Sequence, residues 1–107
     1  MNSPMPKCKI TVLKRTLNQD LIDEYIDDQL RDLKACDIFK DGQEIIIDPN
    51  TAKNPDGFCQ WAWCDIRKDI ITIAAGGNVR GMKENGTIIT GCSDWFRNVI
   101  FKVERME

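Results

Sequence analysis

Apolar and polar positions alternate from Cys8 to Lys14, with Cys8, Ile10 and Val12 on one side and Lys9, Thr11 and Leu13 on the other. A period of two marks a half-buried strand. From Leu17 to Leu33 the period changes. Ile22, Tyr25, Ile26, Leu30 and Leu33 recur at three and four residues, as on the packed face of a helix. Thr16 with Gln19 three residues later fits a capping box, and Asn18 is a rival cap. Asp20, Asp23 and Glu24 stand early and Arg31 and Lys34 late, as the helix dipole prefers, so this charge run reads as a solvated face.

After the turn Asp41–Gly42, Gln43 to Asp48 carries three consecutive isoleucines and predicts a short buried strand that Pro49 ends. Residues Pro49 to Gly57, with two prolines and two asparagines, form the longest irregular connection. The stretch Gly57 to Gly77 then organises the chain. At about 100° per residue, Cys59, Ala62, Trp63, Ile66, Ile70, Ile73 and Ala74 share one helix face, while Trp61, Asp65, Lys68 and Thr72 lie opposite. Asp56 is the predicted cap and Gly76–Gly77 the predicted stop. Because Gly76–Gly77 ends a helix and does not open one, it is not read as a phosphate cradle.

Thr87 to Cys92 and Arg97 to Arg105 read as two strands joined by the short loop Ser93–Phe96, with Val99, Phe101 and Val103 on one face. The expectation is one α+β domain over residues 1–107, in the order β-α-β-α-β-β. It would have a sheet of about four strands, both helices on one side and a C-terminal hairpin.

Composition narrows the classes of function. With 15 basic and 17 acidic residues the net charge is −2, and no basic stripe suggests nucleic acid. The longest apolar run, Ile70 to Ala75, is too short to cross a bilayer, so a soluble, cytoplasmic protein that is not exported is expected. Five cysteines scattered through strand and helix argue for reduced thiols and against a disulfide framework. The chain has no histidine, which excludes serine–histidine and cysteine–histidine catalysis within it. No known reaction motif runs from end to end.

The run Lys7 to Lys14 (KCKITVLK), Gly42-Gln43-Glu44, Gly57-Phe58-Cys59, Trp61-Ala62-Trp63, Asp65-Ile66, Gly76-Gly77 and Cys92 with Asp94, Arg97 and Val99 to Lys102 resembles a family. Its members are small prokaryotic proteins of about this length and of uncharacterised function, so the resemblance implies membership and no reaction. Cys64 stands where that pattern has alanine.

Among candidate groups, Cys59 has the sharpest case. If Asp56 caps the helix, Cys59 is its third residue, where free N–H groups favour a thiolate. The opposing reading is inert packing, since Cys59 is on the core face and Asp56 would repel a second negative charge. Cys59 and Cys64, about 140° apart on the wheel, cannot pair within a helix. Cys8, Cys36, Cys59 and Cys92 lack the close pairs of thiolate metal sites, and no metal is expected. Trp61 and Asp65, one turn apart on the polar side, would line a pocket or a subunit contact, unless the Pro49–Asn54 loop covers the indole. In the hairpin, Cys92, Asp94 and Arg97 bring a thiol, an acid and a cation together. Arg97 would bind an anion or pair with Asp65 or Asp94. The favoured expectation is a pocket between the second helix and the hairpin. Cys59 and Asp65 are its reactive groups, and Trp61, Cys92, Asp94 and Arg97 hold a small anionic ligand. The rival is a non-catalytic homo-oligomer or accessory subunit with Trp61 at its interface and cysteines that only pack.

Overall fold

A computed structural model describes residues 4–30, 32–51 and 53–106. The strands are β1 (Cys8–Arg15), β2 (Glu44–Ile47), β3 (Thr87–Gly91) and β4 (Val99–Arg105), and the helices are α1 (Gln19–Tyr25) and α2 (Gln60–Ala74). The order β-α-β-α-β-β is the one expected, and the α+β class with it. All strand pairs are antiparallel, in the spatial order β2-β1-β4-β3.

Register explains the core. Ile10 lies opposite both Ile45 and Val103, and Val12 opposite Phe101, so the apolar positions of three strands fall on one face. Side chains alternate across a strand, and this face therefore has no water contact once α2 covers it. Ala62, Trp63, Ile66, Ile70, Ile73 and Ala74 of α2 are all buried there, as the wheel predicts. Each such aliphatic side chain contributes about 1.5–3 kcal/mol on burial. The register of β1 with β4 shifts between Val12 and Lys14, which leaves Leu13 as an extra residue between the Val12–Phe101 and Lys14–Ile100 pairs.

The second strand departs from the expected burial. Ile45 and Ile47 face the core, but Ile46 is 49% exposed on the opposite face. That face carries the ion pairs of Lys9 with Glu44 and Glu104 and of Lys102 with Glu104, and is wet. Glu44, then Glu104, raises the Lys9 ammonium above its usual value.

The first helix is shorter than Leu17 to Leu33. It stops at Tyr25; Ile26 is extended, and a separate 3-10 turn covers Asp28–Leu30. Two local effects oppose continuation. The Asp27 carboxylate accepts from the Gln29 N–H, an Asx turn that competes with the helix. Asp23, Glu24, Asp27 and Asp28 crowd the negative end of the dipole with no base in the last turn. Arg31, expected to help there, lies outside the described residues. Only Ile22 of α1 is fully buried; Tyr25 and Leu30 are exposed. Neither expected cap bond forms: Thr16 Oγ1 bonds Asn98, and Asn18, at the cap position, donates from its amide to the Trp95 carbonyl.

The stop of α2 is as expected. Gly76, at φ +104°, donates to Ile73 O, and Gly77 donates to Thr72 O at 2.9 Å, a Schellman closure. Arg105 of β4 adds two bonds, to Ile73 O (2.6 Å) and Gly77 O (3.1 Å), and ties the helix end to the sheet.

This packing predicts a sharp contrast along α2. Ile70→Asp places a carboxylate where the side chain is 1% exposed and should cost several kcal/mol. Lys68→Asp on the exposed side should cost under about 1 kcal/mol. Thermal unfolding of the two variants measures the difference; equal losses would contradict the packing.

Candidate functional site

The first turns of α2 and the connection from β3 to β4 form two walls of a cleft of about 530 Å³, and residues 36–39 form the third. Its lining includes Cys36, Cys59, Cys92, Trp61, Asp65, Asp94 and Arg97. All six residues singled out from the sequence therefore face one space. Ile38, Phe39, Ala62 and Val99 supply its apolar surface.

Local folding brings each wall into place. Before α2, Pro55 to Phe58 forms a turn in which Phe58 N donates to Pro55 O (3.1 Å) and Gly57 takes φ +76°, which favours glycine. The turn shifts the helix start, and Asp56 does not cap it. Cys59 is the cap residue itself, with extended backbone and no side-chain cap bond, and its carbonyl accepts the first helical bond from Trp63. Cys59 therefore precedes the helix and is not its third residue. The third wall is held by Arg15, which donates to the Cys36 carbonyl at 2.8 Å and to Asp41 at 3.0 Å.

Asp65 reaches across to the hairpin. Its Oδ2 accepts from the Ser93 N–H (2.7 Å) and the Ser93 hydroxyl (2.9 Å), so the carboxylate clamps the loop to α2. Arg97 pairs with Asp94, Nε to Oδ2 at 3.3 Å, and not with Asp65. Asp94 Oδ1 also accepts from the N–H groups of Phe96 and Arg97, which shapes the loop. Trp61 is 82% exposed at the rim, so the 49–54 loop does not cover it. Cys92 is half-buried, and its Sγ accepts the Val99 N–H at 3.2 Å.

The other two thiols are elsewhere. Cys8 is in the core beneath α2, where burial pushes its thiol above the usual value and Arg105 only partly offsets this. Cys64 is exposed and does not line the cleft. Among the described residues no three histidine, cysteine, aspartate or glutamate side chains are placed to hold a metal ion. Cys36 and Ser93 were missed as site residues. Cys36 lies in an irregular segment with no periodicity to place it, and Ser93 carried no signal beyond its place beside Cys92.

No family model matches the chain, and no curated protein or solved structure matches it either. Its class is set by its own geometry, that of a small α+β domain with a thiol-lined cleft between a helix and a hairpin.

The clamp makes a prediction. Asp65→Ala removes both acceptor bonds from Ser93 and should destabilise the fold by about 1–2 kcal/mol, as for other hydrogen bonds to a charged group at a partly exposed site. Amide exchange at Ser93 and its neighbours should quicken while exchange in β1 is unchanged. Unchanged exchange in the hairpin loop would show that the clamp is unimportant.

Proposed function

We propose that the cleft binds a small, partly apolar molecule with an anionic group, and that a thiol in its wall meets that molecule. The observation that carries this reading is the convergence of three thiols, an exposed indole and a guanidinium on one cavity from three separate segments of the chain. The indole of Trp61 offers a broad face for a planar group at little conformational cost. Arg97 offers a fork suited to a carboxylate, which would compete with Asp94 for it. Asp65 acts by holding the hairpin wall in position. This reading places the protein in a reducing cytoplasm, where its thiols stay free. Among the described residues no helix is long and apolar enough to cross a membrane.

A second reading draws on one observation. Trp61 at 82% exposure, with Ile38 at 52%, gives the cleft an apolar rim of the kind found in subunit contacts, and Trp95 of the hairpin loop is 67% exposed. On this reading the chain is a homo-oligomer or accessory subunit, and Trp61 is an anchor residue.

Two measurements separate the readings. Titration with an unreactive aromatic carboxylate such as naphthoate should quench the fluorescence of Trp61, assigned with a Trp61→Phe variant. Arg97→Gln should weaken this binding about tenfold, near 1.4 kcal/mol. Sedimentation of the wild type at high concentration, beside Trp61→Ala, tests the contact. A lower mass for the variant supports the oligomer, and a wild-type monomer without naphthoate binding would sink both readings.

A further inference from the structure

The mouth of the hairpin contains an exchange of roles between backbone and side chain. In an antiparallel pair of the hydrogen-bonded kind, two facing residues exchange both N–H to C=O bonds. Cys92 and Val99 make only one of them, from Cys92 N to Val99 O at 3.1 Å. The return bond, from the Val99 N–H, goes to the sulfur of Cys92 at 3.2 Å. Val99 is 1% exposed, so this donor has no recourse to water. The preceding residue permits the arrangement: a Cβ on Gly91 would lie 2.6 Å from Val99 O, so only glycine allows the strands to close up there.

A neutral thiol is a weak acceptor, whereas a thiolate accepts through a charge-assisted and stronger bond. The buried Val99 N–H is therefore placed to bond the sulfur when it stands as a thiolate, the form that attacks. No described hydrogen bond reaches the sulfur of Cys36 or Cys59, and Cys59 at the helix cap uses none of the free N–H groups of α2. The charged groups that share the cleft are Arg97, Asp94 and Asp65. Asp94 is committed to Arg97 and Asp65 to Ser93.

The same commitments restrict the chemistry. With no histidine in the chain and both cleft carboxylates engaged, no imidazole or unpaired carboxylate among the described residues lines the cleft to shuttle a proton. Acyl transfer needs such a group, but exchange at sulfur does not, because a thiolate displaces a thiolate. We propose that Cys92, and not Cys59, is the nucleophile of the cleft, and that its substrate is a small anionic disulfide. The inference rests on the ligand-binding reading of the cleft. In the step, the Cys92 thiolate attacks one sulfur of the substrate, and a Cys92–substrate disulfide forms as the substrate's own S–S bond breaks. The other half leaves with the electron pair as a thiolate and takes its proton from solvent. The substrate disulfide is the oxidant, and no further co-reactant is needed. Arg97 attracts the anionic group, and Trp61 carries the rest of the molecule.

The test uses the native protein near neutral pH and two aromatic disulfides: dithiobis(nitrobenzoate), which is dianionic, and dithiodipyridine, which is neutral. Rapid-mixing kinetics with peptide mass mapping identify the first thiol modified. Cys92 should react first with the anionic reagent, at least about tenfold faster than the exposed reference thiol Cys64. Arg97→Gln should slow the anionic reagent several-fold more than the neutral one. First modification at Cys36 or Cys59, or a Cys92 rate no higher than that of Cys64, overturns the assignment. Equal slowing of both reagents overturns the anionic substrate. Naphthoate binding to a folded Cys92→Ser variant keeps the ligand cleft standing even if the thiol proves inert, so the two failures are distinguishable.

Discussion

The protein depends on the burial of one sheet face beneath one helix. Cys8, Ile10 and Val12 of β1 and Val99, Phe101 and Val103 of β4 are all at most 1% exposed, and α2 covers them with a stripe of isoleucines and alanines. That contact decides where the candidate site is. Phe101 packs edge-on to Phe39 at 5.2 Å between ring centroids, Phe39 in turn meets Phe58 at 4.9 Å, and Phe58 meets Trp63 at 5.7 Å. Through these rings the sheet, the 36–39 wall, the turn before α2 and the helix become one packed body. Edge-to-face pairs contribute about 0.5–1.5 kcal/mol each beyond their area. Phe39 is both part of this core and part of the cleft wall, so the cavity floor is as well fixed as the core.

Polar contacts then fix the helix against the strands at three points, one of them the Asp69 carboxylate, which accepts from the Thr90 hydroxyl of β3 at 2.7 Å. Asp65 holds the first half of α2 to the hairpin loop through Ser93, and Arg105 holds its C-terminal end to β4 through the carbonyls of Ile73 and Gly77. Asp65, a candidate for chemistry, thus serves as a clamp, as does the Arg105 guanidinium. The consequence for the cleft is specific. Its acids are occupied, its base of choice is missing from the chain, and its remaining chemistry belongs to sulfur.

The open face of the sheet behaves differently. Its charges pair across strands at 3.5 Å, yet Glu104 Oε1 and the Thr11 hydroxyl have no hydrogen-bond partner of good geometry among the described residues. Both atoms are shielded from solvent and left without such a partner, and the exposed ion pairs around them add little. The stability of the fold is therefore concentrated on the α2 side.

The sequence by itself determined the elements with strong periodicity. The alternation in β1, the Val99-Phe101-Val103 face and the wheel of α2 all survive folding, because burial of a continuous apolar face overrides local alternatives. It also singled out Cys59, Trp61, Asp65, Cys92, Asp94 and Arg97, since reactive or bulky polar groups near two element ends are visible one residue at a time. Tertiary structure decided what depends on partners distant in sequence or on backbone dihedrals. The end of α1 turned on an Asx turn, and the start of α2 on the Gly57 turn, each a local competition that helical periodicity does not register. Cys36 joined the site because Arg15, in another element, holds its carbonyl. The choice of Asp94 over Asp65 for Arg97, and of sulfur over a carbonyl for the Val99 N–H, followed from distances that only the folded chain sets.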